Sequence, residues 1–370
     1  MSTDTQALFQ PFSLGKLHLQ NRIVMAPMTR TASPDGVPGD NVATYYERRA
    51  RGGVGLIITE GTAIEHDAAS PGPAVPAFYG DAALAGWRVV VERVHAAGGT
   101  IFPQLWHVGS ARRTGTPPLV DVPGYSPMGI AKPGGRVVGH AMTERDIADV
   151  IDGYAKAATT ARALGFDGLE LHAAHGYLID QFFWEGTNQR SDGYGGSPAA
   201  RQRFALEVVS AVRKAVGADF PLCLRFSQWK LQDYNAKLVQ TPAQLGEFLT
   251  PLVDAGVDIF HCSTRRFFTA EFEGSELNLA GWTKKLTGKP TITVGSVGLD
   301  TEFVSDKGDG MNSARGSDLA PLLERLARGE FDLVALGRSL IGDAEWPRKV
   351  REGRTSEIQS FDRAMLDQLV

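Results

Sequence analysis

Eight short apolar runs, spread over nearly the whole chain and separated by segments of helical periodicity, limit what this sequence can fold into. They occupy 22–27, 55–60, 100–106, 166–172, 221–226, 257–262, 290–295 and 331–338. Their apolar character is continuous rather than alternating, so both faces of each strand must be covered, as in parallel strands flanked by helices. Helical patterns fill the gaps at 45–51, 82–97, 143–164, 198–216, 242–255 and 319–328. Thr143-Glu-Arg-Asp146 offers a capping box, and Ser197-Pro198 and Thr241-Pro242 each pair an N-cap residue with a proline suited to the first helical position. Strands and helices in strict alternation predict an α/β fold, a single (β/α)8 TIM barrel over 1–370. An open doubly wound sheet is the alternative, but no G-x-G-x-x-G turn follows an early strand.

Two connections exceed ordinary turns. Residues 107–142, rich in Gly and Pro, follow the third strand and are expected to form a capping lid subdomain. Residues 299–317, polar, form a second long insertion after the seventh strand. Both lie on the side of a barrel where active sites are built.

Composition removes several function classes. A hydrophobic fraction of 43% with 22% charged residues excludes a disordered chain, and glycines without a three-residue period exclude a collagen-like fibre. A net charge of −4 gives no general attraction to nucleic acid or an anionic membrane. No apolar run approaches the ~20 residues of a membrane span. The first residues lack the basic and apolar regions of a secretory signal. Two cysteines, Cys223 and Cys262, make no disulfide framework and point to a reducing compartment. The expectation is a cytoplasmic protein, monomer or homodimer, with small-molecule partners.

In a barrel the chemistry sits at the C-terminal strand ends. Gly295-Ser296 and Gly337-Arg338 close the seventh and eighth strands, where backbone N–H groups and a forked cation can take a phosphate. Tight strand-to-helix turns alone would also account for those glycines. After the fourth strand comes His172-Ala-Ala-His175-Gly-Tyr177. Two imidazoles at this spacing could ligate a metal, move protons or hydrogen-bond a substrate oxygen. A metal-dependent barrel hydrolase or lyase using His172 and His175 is therefore an alternative. It needs a third ligand. Glu170 shares the interior face of that strand, yet no His-x-His follows the first strand and no acidic set converges. Gln104 can donate and accept, and Arg225 is a fixed cation. Together with the phosphate residues they suggest a nucleotide-like cofactor such as FMN.

At these residues the sequence resembles the Old Yellow Enzyme family of FMN-dependent ene-reductases. The matching stretches are 21–30, 55–61, 104–109, 165–177 and 192–197, with Arg201, Arg225 and Gly337-Arg338, in order along nearly the whole chain. The resemblance implies a TIM barrel with tightly bound, non-covalent FMN. Pro27, Met28, Thr29, Gly61, Gln104 and Arg225 would surround its ring, and Gly295, Ser296, Gly337 and Arg338 its phosphate. His172 and His175 would hold the substrate's carbonyl or nitro oxygen, His172 also touching the cofactor. Trp106 would line the pocket and Tyr177 would be the proton donor. The implied reaction is two-step: NADH or NADPH reduces FMN, which then delivers hydride to the β-carbon of an activated alkene while Tyr177 protonates the α-carbon. Ser227-Gln-Trp-Lys230 and the 299–317 insertion depart from the family's pattern.

Overall fold

The computed structural model describes residues 5–302 and 313–369. All eight apolar runs become strands: β1 (Ile23–Met25), β2 (Leu56–Ala63), β3 (Ile101–Trp106), β4 (Leu169–His175), β5 (Leu222–Lys230), β6 (Ile259–Ser263), β7 (Thr291–Val294) and β8 (Leu333–Leu336). They pair in parallel, each with the next, and β8 returns to β1 to close a barrel. The expected (β/α)8 barrel is thus the observed fold.

Around it lie α1 (Asp40–Arg51), α2 (Asp81–Ala96), α3 (Glu144–Ala163), α4 (Pro198–Val216), α5 (Pro242–Ala255), α6 (Leu279–Thr287) and α7 (Ala320–Ala327). The cap signals act as expected. Thr143 Oγ1 accepts the Asp146 N–H while Asp146 Oδ2 accepts the Thr143 N–H, a reciprocal box that satisfies two donors the helix leaves open. Ser197 and Thr241 cap α4 and α5 through the N–H groups of Ala200 and Gln244. Helix α6 has no counterpart among the sequence expectations. It is nine residues long, and its cap, Asn278, follows an irregular loop.

Strand pleating sorts the side chains. Val24, Leu56, Ile58, Phe102, Ile259, Ile292 and Leu333 fill the barrel interior, while Ile23, Ile57, Ile101 and Val334 pack outward against helices. An antiparallel hairpin of Phe12–Leu14 and Leu17–Leu19 plugs the N-terminal end, adding Phe12, Leu17 and Leu19 to the interior cluster. Each such side chain contributes about 1.5–3 kcal/mol relative to exposure. Further along the strands the same two-residue period turns Gln104, Glu170, His172, Arg225, His261 and Ser263 inward.

The 107–142 segment carries only short elements, including Tyr125–Ser126 paired with His140–Ala141. Buried Arg112 holds it together by donating to the carbonyls of Ser70, Thr116, Leu119 and Val122. In the 299–317 insertion, residues 303–312 lie outside the described residues. Cys223 and Cys262 are free and buried. No helix among the described residues is long and apolar enough to cross a membrane.

Candidate active site

A cavity of about 320 Å³ opens at the C-terminal ends of the strands. Pro27, Met28 and Thr29 line it after β1, and Gln104 and Trp106 from β3. His172, His175 and Tyr177 enter from β4 and Arg225 from β5. Gly295 and Ser296 after β7, with Gly337 and Arg338 after β8, close the far side. Residues more than 300 positions apart in the chain therefore meet in one space. Gly61 is not a lining residue. A Cβ there would stand 2.4 Å from Trp106 Cε3, so its glycine lets the indole lie flat against β2. Among the described residues, none of 107–142 lines the cavity.

The end of β4 forms an aromatic cluster. The His172 ring lies parallel to Trp106, with centroids 5.9 Å apart and 16° between planes. Tyr177 stands edge-on to both, 4.9 Å from each centroid. His172 Nδ1 accepts the Ala174 N–H at 3.3 Å, so by this network Nε2 carries the ring proton. His175 adopts a left-handed backbone with φ 66°, uncommon for a side-chain-bearing residue and characteristic of functional sites. Its N–H donates to Ser227 Oγ at 3.0 Å, and its ring stacks on Trp229 at 4.5 Å. Burial, followed by the positive charge of Arg225, holds both histidines well below the usual imidazole range. Both are neutral at pH 7. Burial pushes the Tyr177 phenol up to about 12, against the pull of Arg225, so it keeps its proton.

Beneath this cluster Glu170 organises the barrel's polar layer. Its Oε1 accepts from Gln104 Nε2 at 2.7 Å, and its Oε2 lies 2.7 Å from His261 Nδ1 and 3.4 Å from Cys223 Sγ. Burial alone would raise this carboxyl, but His261, Arg225 and Gln104 outweigh it and keep it ionised. Burial lowers the His261 imidazole in turn, against the pull of Glu170. Both Glu170 oxygens are therefore engaged, and among the described residues no three His, Cys, Asp or Glu side chains gather as a metal set. Arg225 Nε is buried without a partner among the described residues. A buried guanidinium with an unused donor at a cavity wall is matched by a ligand carrying acceptor atoms.

At the opposite end Gly295 has φ 136° and Ser296 φ 48°. A Cβ on Gly295 would stand 2.5 Å from the Thr264 carbonyl, so only glycine permits this turn. Arg338 donates to the carbonyls of Thr301 and Glu302, and burial lowers its guanidinium to about 10, leaving it charged at neutral pH. The cavity thus runs from a hydrogen-bonding ring reader, Gln104 with Arg225, to a cationic, glycine-turned end. These donors fit an isoalloxazine and a phosphate.

Several supporting residues stand beside the expected site residues, and of these only Glu60 is a strand-end candidate by the barrel rule applied to the sequence runs. Glu60 Oε2 accepts the Arg30 N–H at 2.9 Å and the Thr31 N–H at 3.4 Å, holding the turn that follows Thr29. Burial raises this carboxyl to about 7. Asp180 and Lys230 form a fully buried ion pair at 2.5 Å, and Asp180 Oδ2 also accepts the Gly176 N–H at 2.7 Å. Trp229, Tyr234 and Ser263 line the cavity as well. Trp229 belongs to the Ser227–Lys230 stretch that departs from the family pattern. The barrel rule, applied to the sixth strand, would have reached Ser263.

The chain matches the model of the NADH:flavin oxidoreductase / NADH oxidase family over residues 7–357. It is 35% identical to an NADH oxidase of Thermoanaerobacter brockii over 364 residues, which covers 95% of this chain but 52% of that protein. The chain thus spans about half the length of that relative. Its fold superposes on morphinone reductase in complex with tetrahydroNAD with a TM-score of 0.81 and 31% identity, covering 97% of this chain and 93% of the other. The Old Yellow Enzyme homologue from Zymomonas mobilis aligns with a TM-score of 0.80 and 27% identity, covering 97% and 96%.

Proposed function

Because the chain belongs to the NADH:flavin oxidoreductase / NADH oxidase family, which includes Old Yellow Enzyme relatives, we propose that it is an FMN-dependent NAD(P)H:alkene oxidoreductase. The single observation that carries this reading is the convergence, in one cavity, of two neutral histidines and a protonated tyrosine with the Gln104–Arg225 ring reader. Gln104, Arg225, Thr29, Pro27 and Met28 would hold the FMN ring, and Gly295, Ser296, Gly337 and Arg338 its phosphate. When bound, FMN supplies the redox chemistry, taking two electrons from NADH or NADPH and passing them to the alkene.

The chain's own residues do the rest. His172 and His175, uncharged, donate hydrogen bonds to the oxygen of an enone, enal, maleimide or nitroalkene. That oxygen gains negative charge as the β-carbon is reduced, so preorganised donors in a dry site lower the barrier. Tyr177 gives its proton to the α-carbon as general acid. Trp106, flat against β2 and edge-on to Tyr177, walls the substrate beside these groups. Arg225 would place a permanent positive charge beside the bound ring, favouring the negative charge that reduction adds to it.

Under anaerobic conditions, cyclohexenone, a maleimide or a nitroalkene is expected to trigger NAD(P)H oxidation, one reductant consumed per alkene saturated. Consumption no faster than without alkene would contradict the proposal.

A further inference from the structure

His175 and Ser263 are joined by a contact that the reaction scheme leaves unexplained. His175 Nε2 lies 2.8 Å from Ser263 Oγ, and Arg225 Nη2 lies 3.4 Å from the same oxygen. We propose that Ser263 is a positioning residue: it fixes His175 in the Nδ1–H tautomer, so that the two histidines offer two N–H donors and no lone pair to the substrate oxygen.

Arg225 has only donors, so Ser263 Oγ accepts from it. The serine hydroxyl has one proton, and among the described residues His175 Nε2 is its acceptor. If Nε2 carried the ring proton instead, both neighbours would donate to Ser263, and its hydroxyl hydrogen would have no protein acceptor at a position only 3% exposed. With Nε2 accepting, Nδ1 bears the proton, and Nδ1 has no protein partner among the described residues.

The second histidine is set the other way round. His172 Nδ1 is occupied by the Ala174 N–H, which leaves Nε2–H free. The two rings are 5.1 Å apart and nearly perpendicular, at 86°. Opposite tautomers on perpendicular rings are what lets a histidine pair of mixed orientation act as a pair of donors. The Ser263 residue also holds the ring plane. Its carbonyl accepts from Trp229 Nε1 at 3.2 Å, and Trp229 is the platform on which His175 stacks. Ser263 faces Ser227 across the β5–β6 register, and Ser227 Oγ takes the His175 N–H, so both strands contribute to the same restraint.

The pair so fixed matches the substrate oxygen of the proposed reaction. Two fixed donors suit an oxygen that only accepts, a ketone, aldehyde, imide or nitro group. A hydroxyl in the same place would direct its own proton at a site lacking an acceptor. This identification of the ligand oxygen rests on the ene-reductase reading, whereas the tautomer itself does not.

The test uses the full chain carrying its FMN, labelled with 15N-histidine and studied by long-range 1H–15N correlation at neutral pH. His175, assigned by its loss in His175→Gln, is expected to show the Nδ1–H pattern, and His172 the Nε2–H pattern. Ser263→Thr, which keeps the hydroxyl, should retain the His175 pattern. Ser263→Ala should move it toward Nε2–H and lower kcat/KM for an enone about tenfold. An Nε2–H pattern for His175 in the unmodified protein overturns the proposal, as does an unchanged pattern in Ser263→Ala. If Ser263→Ala does not fold, the unmodified protein's spectrum decides alone. The expected patterns with no enone turnover would remove the ene-reductase reading and leave the tautomer standing.

Discussion

Replacing Tyr177 with Phe is expected to slow alkene reduction by about 10²–10⁴-fold, the usual range for a general acid. That range corresponds to about 2.7–5.4 kcal/mol of transition-state stabilisation. The substitution removes one oxygen and little else. Tyr177 is held by its ring, edge-on to His172 and Trp106, and its hydroxyl makes no structural hydrogen bond among those described, so Phe fills the same space. Burial keeps the phenol protonated up to about 12, so the acid is fully available at neutral pH. Arg225, which opposes that rise, would ease the phenolate left if Tyr177 gives up its proton. Reduction of FMN by NAD(P)H needs no proton from Tyr177 and is expected to proceed. Rapid-mixing measurement of the two half-reactions separates them. Equal slowing of both would assign Tyr177 a packing role instead.

The second large effect is on stability. Asp180→Ala is expected to lower the unfolding free energy by about 3–5 kcal/mol, read from urea denaturation, because it strands the Lys230 ammonium in a fully buried position. Burial raises the Asp180 carboxyl and lowers the Lys230 amine, each opposed by its partner, so the environment works against both charges and only their pairing retains them. Such a pair is a weak source of net stability. Its placement explains it better. Asp180 receives the Gly176 N–H, and the Lys230 backbone pairs with His175, so the two ions clamp the turn that presents His175 and Tyr177. Asp180→Leu combined with Lys230→Met should therefore recover most of the stability yet remain impaired in alkene reduction. A single Asp180→Ala change within about 1 kcal/mol of the parent protein would show that Lys230 finds another partner or water.

Both effects come from residues whose neighbourhoods differed in how far the sequence disclosed them. The barrel was legible because strands buried on two faces cannot alternate, and eight continuous runs left few other folds. Helix starts were legible where a cap residue preceded proline, at Ser197 and Thr241. Helix α6 was not, since Asn278 caps a helix of nine residues after an irregular stretch. Site residues at strand ends followed from barrel geometry. Ser263 is not marked in the sequence because the sixth apolar run ends at Cys262, one residue short of where β6 stops. Trp229 escaped because β5 continues to Lys230, beyond the apolar run that ends at Phe226, and pairs with His175 only after a register shift in β4. Gly61 was placed beside the cofactor by resemblance, but its relation to Trp106 depends on a side chain 45 positions away, and no local pattern encodes that approach. The Asp180–Lys230 pair is similarly hidden, its partners being 50 residues apart.

On the proposed reading one cavity holds one FMN that serves a reductant and an alkene in turn. Anaerobic titration of the purified chain, followed by its visible spectrum, tests this most directly. The predicted result is a yellow protein with one FMN per chain, bleached by one equivalent of NADH or NADPH and recoloured by one equivalent of an enone. A colourless chain that takes up no added FMN, or one carrying stoichiometric zinc or iron in its place, would contradict it.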